Sequence, residues 1–234
     1  MFSIEIQNLT KEIGARTLFE IKELRVKQGA RIGIVGQNGV GKTTLLEILA
    51  GETDPETGSV QLSGSTGFIK QIQPEDDRLS GGEKTRKLIQ TVLRKRPAIL
   101  FADEPTSNLD TASAKHVIRD FKHFSGTLVM ISHDRDFLDA VCNEIWELEN
   151  ETITVFKGNY SAYSAEKKKQ LAEKQKAYAE NVAEKRKLQS AISHRKQIAG
   201  SMESSQAKLM KKGMTRKEIA YGNMYKGQQQ KKPA

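Results

Sequence analysis

Residues 31 to 43 constrain this chain more than any others. Arg31-Ile-Gly-Ile-Val35 is an apolar run bounded by a turn, as a buried strand would be, and Thr43 to Ala50, closed by Gly51, carries a helical pattern. Between them Gly36-Gln-Asn-Gly-Val-Gly41-Lys42-Thr43 matches G-x-x-x-x-G-K-[ST] in the strand-to-helix setting that the pattern requires. Glycines let a backbone wrap phosphate groups, and the N–H groups at the start of the helix supply the positive end. Gly36, Asn38, Gly39, Gly41, Lys42, Thr43 and Thr44 are therefore the candidate nucleotide-binding residues. Lys42 is expected to contact the β and γ phosphates, and the Thr43 hydroxyl to ligate Mg²⁺.

The rest of the first 159 residues predicts an α/β fold. Ser3 to Gln7 alternates as a strand does, and Ile21 to Val26 leads to a Gln28-Gly29 turn. Residues 64 to 79 are short, polar and loop-like. A helix carrying Leu88, Val92 and Leu93 on one side is expected after Ser80. It is followed by a buried strand at Ala98–Ala102, a helix at Ala112–Phe121 and a strand at Thr127–Ile131. A helix at Arg135–Cys142 precedes a hairpin at Glu144–Leu148 and Thr152–Phe156. Strands alternating with helices predict a mainly parallel sheet with helices on its faces, here with an N-terminal antiparallel part. The single cysteine, Cys142, reads as a small buried helix residue and has no internal disulfide partner.

Two further segments carry chemistry. Leu100-Phe-Ala-Asp103-Glu104-Pro105 ends a buried strand in adjacent carboxylates downstream of the glycine-rich turn. Asp103 suits a Mg²⁺ acceptor acting through water, and Glu104 a base for an attacking water. In Leu79-Ser80-Gly81-Gly82-Glu83, Ser80 and Glu83 form a capping box, while the paired glycines expose N–H groups as a second anion site. The two anion sites could serve one nucleotide or two.

The glycine-rich turn, LSGGE, the strand ending in Asp-Glu, Ser107-Asn-Leu-Asp110 and Ile131-Ser-His133-Asp134 occur in this order. Together they resemble the nucleotide-binding domain of ABC ATPases, a P-loop NTPase fold, over roughly residues 1 to 157. The resemblance implies ATP and Mg²⁺ as cofactors and roles for particular residues. Gln71 looks like the lid glutamine that senses Mg²⁺ and the attacking water, which places it with Thr43 and Asp103 at the metal. Ser80, Gly81 and Gly82, with Glu83, look like the signature that binds the γ-phosphate of a nucleotide on an opposing domain. Asp110 falls in the loop that couples two sites, and His133 looks like the switch histidine at the γ-phosphate. With Glu104, His133 and Gln71 complete the implied catalytic set. The chain departs from the pattern at Ile13, where the family has an adenine-stacking aromatic, which implies apolar contact and weak base selectivity.

Beyond residue 159 the composition changes. From Tyr160 onward there are 18 Lys and Arg against 6 Asp and Glu, leaving 20 against 23 in the first 159 residues. Such asymmetry fits a polyanionic partner or a solvated helical face. Ser161 to about Ile198 is rich in Ala, Lys, Glu and Gln and predicts one long helix. Gly200 to Gly213 is expected to break it, with a returning helix from Thr215. Residues 160–234 thus read as a basic helical linker, a truncated hairpin, after a domain spanning 1–159. Phe156-Lys-Gly-Asn-Tyr160-Ser-Ala-Tyr163 and the helix after it are similar to ABC-F proteins. In that family two ATPase domains flank a charged linker that contacts ribosomal RNA. Tyr163, Tyr178, His194, Tyr221 and Tyr225 are candidate base-stacking residues. Gln71 and Ser80 lie close together, which leaves no room for a transporter's helical subdomain or for the arm of many translation factors. That implies the antibiotic-resistance members.

The expected partners are a second ABC domain, in a longer tandem chain or a homodimer, and the ribosome or RNA through residues 160–234. No run is long and apolar enough for a membrane helix and the N-terminus lacks a signal pattern, so a cytoplasmic protein is expected. The competing readings are a transporter ATPase subunit, and a nucleic-acid-binding module in which ATP only locks a dimer.

Overall fold

A computed structural model describes residues 1–71, 81–107, 109–211, 213, 215, 217, 218 and 221. Strands β1 (Phe2–Ile13), β2 (Arg16–Lys27) and β4 (Thr57–Leu62) form an antiparallel sheet in the order β2-β1-β4. A second sheet contains β3 (Arg31–Val35), β5 (Thr66–Ile69), β6 (Ile99–Asp103), β7 (Thr127–Ile131), β8 (Glu144–Glu149) and β9 (Thr152–Lys157). Its order is β5-β6-β7-β3-β8-β9, parallel except for the β8–β9 hairpin. Asn150 and Glu151 turn that hairpin with positive φ at both positions, which matches the right-handed twist of the flanking strands.

Period-2 alternation divides the core in two. Ile99 and Phe101 of β6 and Val129 and Ile131 of β7 face one cluster, shared with the antiparallel sheet and with Leu45, Leu46 and Leu49 of α1 (Lys42–Ala50). Leu100, Ala102, Leu128 and Met130 face the other. That second cluster is covered by α2 (Gly81–Arg94), α3 (Thr111–His123) and α4 (Arg135–Val141). The central strands β6 and β7 are buried at every residue, so they read as continuous apolar runs in the sequence. Gly33 of β3 is needed there, since a Cβ would meet Leu138 at 2.9 Å and Cys142 at 3.0 Å.

Helix α5 (Tyr160–Lys211) follows β9. Asn159 caps it by accepting from the Ala162 N–H at 3.1 Å. The chain divides into compact units Met1–Lys168 and Lys169–Ala234, so the first turns of α5 pack with the ATPase-like body.

Two sequence expectations need correction, and one strand had no expectation set against it. Residues 64 to 79 are not all loop, because Thr66–Ile69 pairs in parallel with β6 at the sheet edge. A strand this short carries too little alternation to declare itself. Residues 57–62, left unassigned by pattern, form β4, an exposed polar edge held by pairing to β1. Gly200 does not break α5, which runs on to Lys211. One glycine costs a helix only about 1 kcal/mol relative to alanine, and the strong helix formers before it outweigh that. Ser80, Asn108, Tyr225 and most of the expected returning helix lie outside the described residues.

Candidate functional site

The site lies where chain topology places it. β3 sits between β7 and β8, and in open α/β sheets ligands bind beyond the carboxyl ends of strands where the connections diverge. β3 leads into Gly36–Gly41, β6 ends in Asp103, and β7 leads to His133. These converge on a cavity of about 610 Å³ lined by Asn38, Gly39, Gly41, Lys42, Thr43 and Thr44 from the turn and α1. Ile13, Gln71, Asp103, Glu104 and His133 line it as well.

The turn depends on its glycines. Gly41, at φ +104°, caps α1 and packs against Leu18 and Phe19 of β2, so a side chain there would be both strained and crowded. Gly36 packs against the Leu148 carbonyl of β8, which a Cβ would approach to 2.5 Å. Lys42 Nζ donates to the carbonyls of Gly36 at 3.0 Å and Gln37 at 2.9 Å, folded back over the loop it follows. Burial holds its ammonium below the usual lysine range, against the pull of Glu104 and Asp103.

Asp103 and Glu104 are both held in an acid-raising environment. Burial pushes the Asp103 carboxyl up, opposed by the hydrogen bond from Thr43 and by the charge of Lys42. Burial likewise raises Glu104, opposed by the His133 backbone hydrogen bond. Glu104 sits at φ +47°, a strained conformation for a residue with a side chain. Its N–H donates to the Ile131 carbonyl at 3.0 Å, and its Oε2 accepts from the His133 N–H at 3.2 Å. Oε1 lies 3.5 Å from His133 Nε2 and is buried with no hydrogen bond among the described residues. A buried carboxylate fixed by a backbone hydrogen bond to one oxygen, with the other facing the His133 ring, is placed to act as a base.

Among the described residues no cluster of three or more His, Cys, Asp and Glu could hold a metal alone. The hard oxygen donors at hand are the Thr43 hydroxyl and Asp103, beside Gln71. That sparse set fits Mg²⁺, which binds through one or two protein oxygens together with substrate phosphates.

The remaining sequence candidates lie elsewhere in the body. Gly81 begins α2, with Gly82 and Glu83 in its first turn. Asp110 caps α3 by accepting from the Ser113 N–H at 2.6 Å, a bond that holds its carboxyl below the usual range. Pattern reading missed Leu18 and Thr106, which also line the cavity, and gave Ser107 a place in a motif but not in the cavity that it lines. Leu18 arrives from another sheet, so only the fold brings it there. Thr106 and Ser107 follow Pro105 directly, so their closeness to Asp103-Glu104 was the available signal.

A second feature missed by pattern joins α5 to the sheet. Glu147 of β8, 8% exposed, accepts from the Tyr163 hydroxyl at 2.8 Å and from Lys167 Nζ at 2.9 Å. The Tyr163 ring stands edge-on to Phe156 at 5.1 Å, and burial with the Glu147 bond pushes its phenol well above the usual range. Glu147 is beside Leu148, whose carbonyl backs the glycine-rich turn.

Comparison with known proteins agrees with this architecture. Two family models, both described as ABC transporter, match residues 20–73 and 146–232. The ribosome protection protein VmlR of Bacillus subtilis (strain 168) is 33% identical over 75% of this chain and 36% of its own length. The erythromycin resistance ATP-binding protein MsrA of Staphylococcus epidermidis is 30% identical over 75% of this chain and 41% of its own length. The energy-dependent translational throttle protein EttA of Haemophilus influenzae is 31% identical over 73% of this chain and 39% of its own length. The chain therefore spans well under half the length of these relatives. Among solved structures, the ATP-binding cassette MJ0796, a dimer in a post-hydrolysis state bound to ADP and Pi, matches with TM-score 0.58 and 19% identity. That match covers 66% of this chain and 98% of the other, and at such identity it shows the fold alone. The chain belongs to the ABC ATPase family, and its relatives are consistent with the ABC-F group within it.

Proposed function

We propose that this chain is the ATP-binding and ATP-hydrolysing half of a cytoplasmic ABC-F protein that acts on the ribosome and protects it from antibiotics. The observation that carries the ATPase reading is the convergence of Lys42, Thr43, Asp103, Glu104 and His133 on one cavity behind a glycine-rich turn. In the proposed mechanism Lys42 leaves the Gly36 and Gln37 carbonyls to pair with phosphate oxygens. Glu104 takes the proton of the attacking water on Oε1, while the His133 backbone N–H holds Oε2 in place. His133 Nε2 supports the γ-phosphate, Thr43 and Asp103 would hold Mg²⁺, and Gln71 would contact it and orient the attacking water. When bound, Mg²⁺ neutralises charge between the β and γ phosphates. Ile13, 61% exposed at the cavity edge, offers apolar contact to the base.

Completion of the site falls to a second ABC domain, in a longer chain or a second copy, whose counterpart of Ser80-Gly81-Gly82 supplies N–H groups to the γ-phosphate. Asp110 couples the two sites. The basic segment 160–234 supplies the RNA contact, with phosphate-dominated and salt-dependent binding. Two relatives whose names state ribosome protection and erythromycin resistance support the antibiotic reading. No described helix is long and apolar enough to cross a membrane.

The test is cosedimentation of Glu104→Gln protein with ribosomes, with and without ATP. Pelleting that needs ATP and disappears in the Glu104→Gln/Lys42→Ala double variant is expected. A tandem-domain protein that binds ATP yet never pellets with ribosomes would overturn the ribosome reading and direct attention to a membrane partner.

A further inference from the structure

The first 159 residues carry 20 basic against 23 acidic side chains, but the charge is not evenly spread. On α2 and α3 there are seven basic residues, Lys84, Arg86, Lys87, Arg94, Lys115, Arg119 and Lys122, against Glu83 and Asp120. Arg86 and Gln90 share one face of α2 by their helical spacing, with Lys87 flanking them, and His116 and Arg119 share one face of α3. Between the helices runs a groove of about 320 Å³ lined by Arg86, Gln90, His116, Arg119 and Asp120. The Arg86 guanidinium is held by the Ser113 hydroxyl, and Arg119 Nη2 donates to His116 Nδ1 at 2.9 Å. Two cations are thus fixed in direction at the cost of little further side-chain entropy on binding. Ile89 and Val117 are buried beneath. Among the described residues no large apolar side chain is exposed on either helix, so the face suits neither a lipid surface nor an apolar helix.

We propose that the α2–α3 groove of the ATPase domain is an RNA-binding surface in its own right, gripping phosphodiester backbone through Arg86, Lys87, His116 and Arg119. Fixed guanidinium forks match phosphate oxygens, and Lys87 adds a mobile point charge beside them. Asp120 in the groove and Asp110, whose carboxylate feels the charge of Arg86, offset part of this positive charge and limit its anion density. The choice of RNA rests on the ribosome reading. The surface itself rests on charge and geometry, and it is built from residues other than those of segment 160–234.

The test measures binding of the whole chain to a fluorescently labelled RNA hairpin across a series of salt concentrations. Three proteins are compared: wild type, Lys87→Glu/Arg119→Glu, and Lys185→Glu/Lys187→Glu in the extension. Circular dichroism and ATP affinity matching wild type establish that the variants are folded. For the groove pair, RNA binding is expected to weaken about tenfold at low salt. The slope of log K against log salt should fall by about two, one phosphate contact for each cation. The milder Lys87→Gln/Arg119→Gln pair should move both quantities in the same direction by less. Wild-type affinity and slope in the groove pair, with loss in the extension pair, would overturn the groove while leaving the extension as the RNA contact. No change in either pair would overturn both. Polyglutamate bound as tightly as RNA, with the same loss on reversal, would overturn the assignment to RNA.

Discussion

All five residues of β6 are buried, whereas from Leu171 to Ser205 helix α5 has only Val182 partly shielded among residues whose burial is described. The two segments rest on different foundations. β6 is ordered by what surrounds it: two ladders of hydrogen bonds and an apolar cluster on each face. α5 is ordered by its own composition, with the strong helix formers Ala, Lys, Glu and Gln at 29 of its 52 positions. A substitution in the body is felt by many neighbours, and one in α5 is felt mainly by the helix that contains it. Chemistry that needs fixed oxygen positions therefore belongs in the body, and the exposed charge of α5 suits a partner outside it.

That contrast is open to attack at several levels. The largest effect is expected at Glu104, where Glu104→Gln should lower ATP hydrolysis about 10²–10⁴-fold while ATP binding persists. Phosphate release from a preparation whose ATP binding is measured in parallel checks this, and less than a tenfold loss would remove Glu104 as the base. Next is Phe121→Ala, which empties a fully buried position packed 5.7 Å from the Phe137 ring. It should cost about 3–5 kcal/mol in urea unfolding, against about 0.5 kcal/mol or less for Leu188→Ala at 59% exposure. Equal costs would erase the distinction between the two regions.

The two glycines Gly33 and Gly200 give a sharper contrast, because the same substitution should act with opposite sign. Gly33→Ala crowds Leu138 and Cys142 and should destabilise by about 1–3 kcal/mol. At Gly200 no atom lies within 4 Å of the place a Cβ would occupy, so Gly200→Ala should favour the helix by about 0.5–1 kcal/mol, read as a higher melting midpoint of the helical signal. The smallest effect concerns Cys142, whose thiol burial pushes up to about 12. The fold favours the protonated form, so this contribution is complete below the unfolded thiol value of about 8.5 and declines as pH rises toward 12. Alkylation at pH 9 should be slow in the native protein and fast in urea. Fast native alkylation would mean that this packing opens readily.

The nucleotide site was legible because its chemistry is local. Gly36 to Thr43 is one continuous stretch, and Asp103 and Glu104 are adjacent. The buried strands were legible for the same reason, each being a short unbroken apolar run. What escaped were features made by distant segments meeting. Leu18 reaches the cavity from β2, β4 is strand only through β1, and Glu147 looks like any charged strand residue until Tyr163 and Lys167 are placed against it. The continuation of α5 past Gly200 escaped because a pattern break was given more weight than the sum of propensities around it.

The Glu147 contact has a consequence for how such a chain can vary in length. An α-helix turns by about 100° per residue. Inserting one residue between Asn159 and Tyr163 would swing both Tyr163 and Lys167 off the carboxylate that they share. The same insertion after Lys167 would leave that contact untouched. This contact thus locks the phase of the helix over its first two turns, and a change in the length of α5 nearer its C-terminus would leave the contact itself in place.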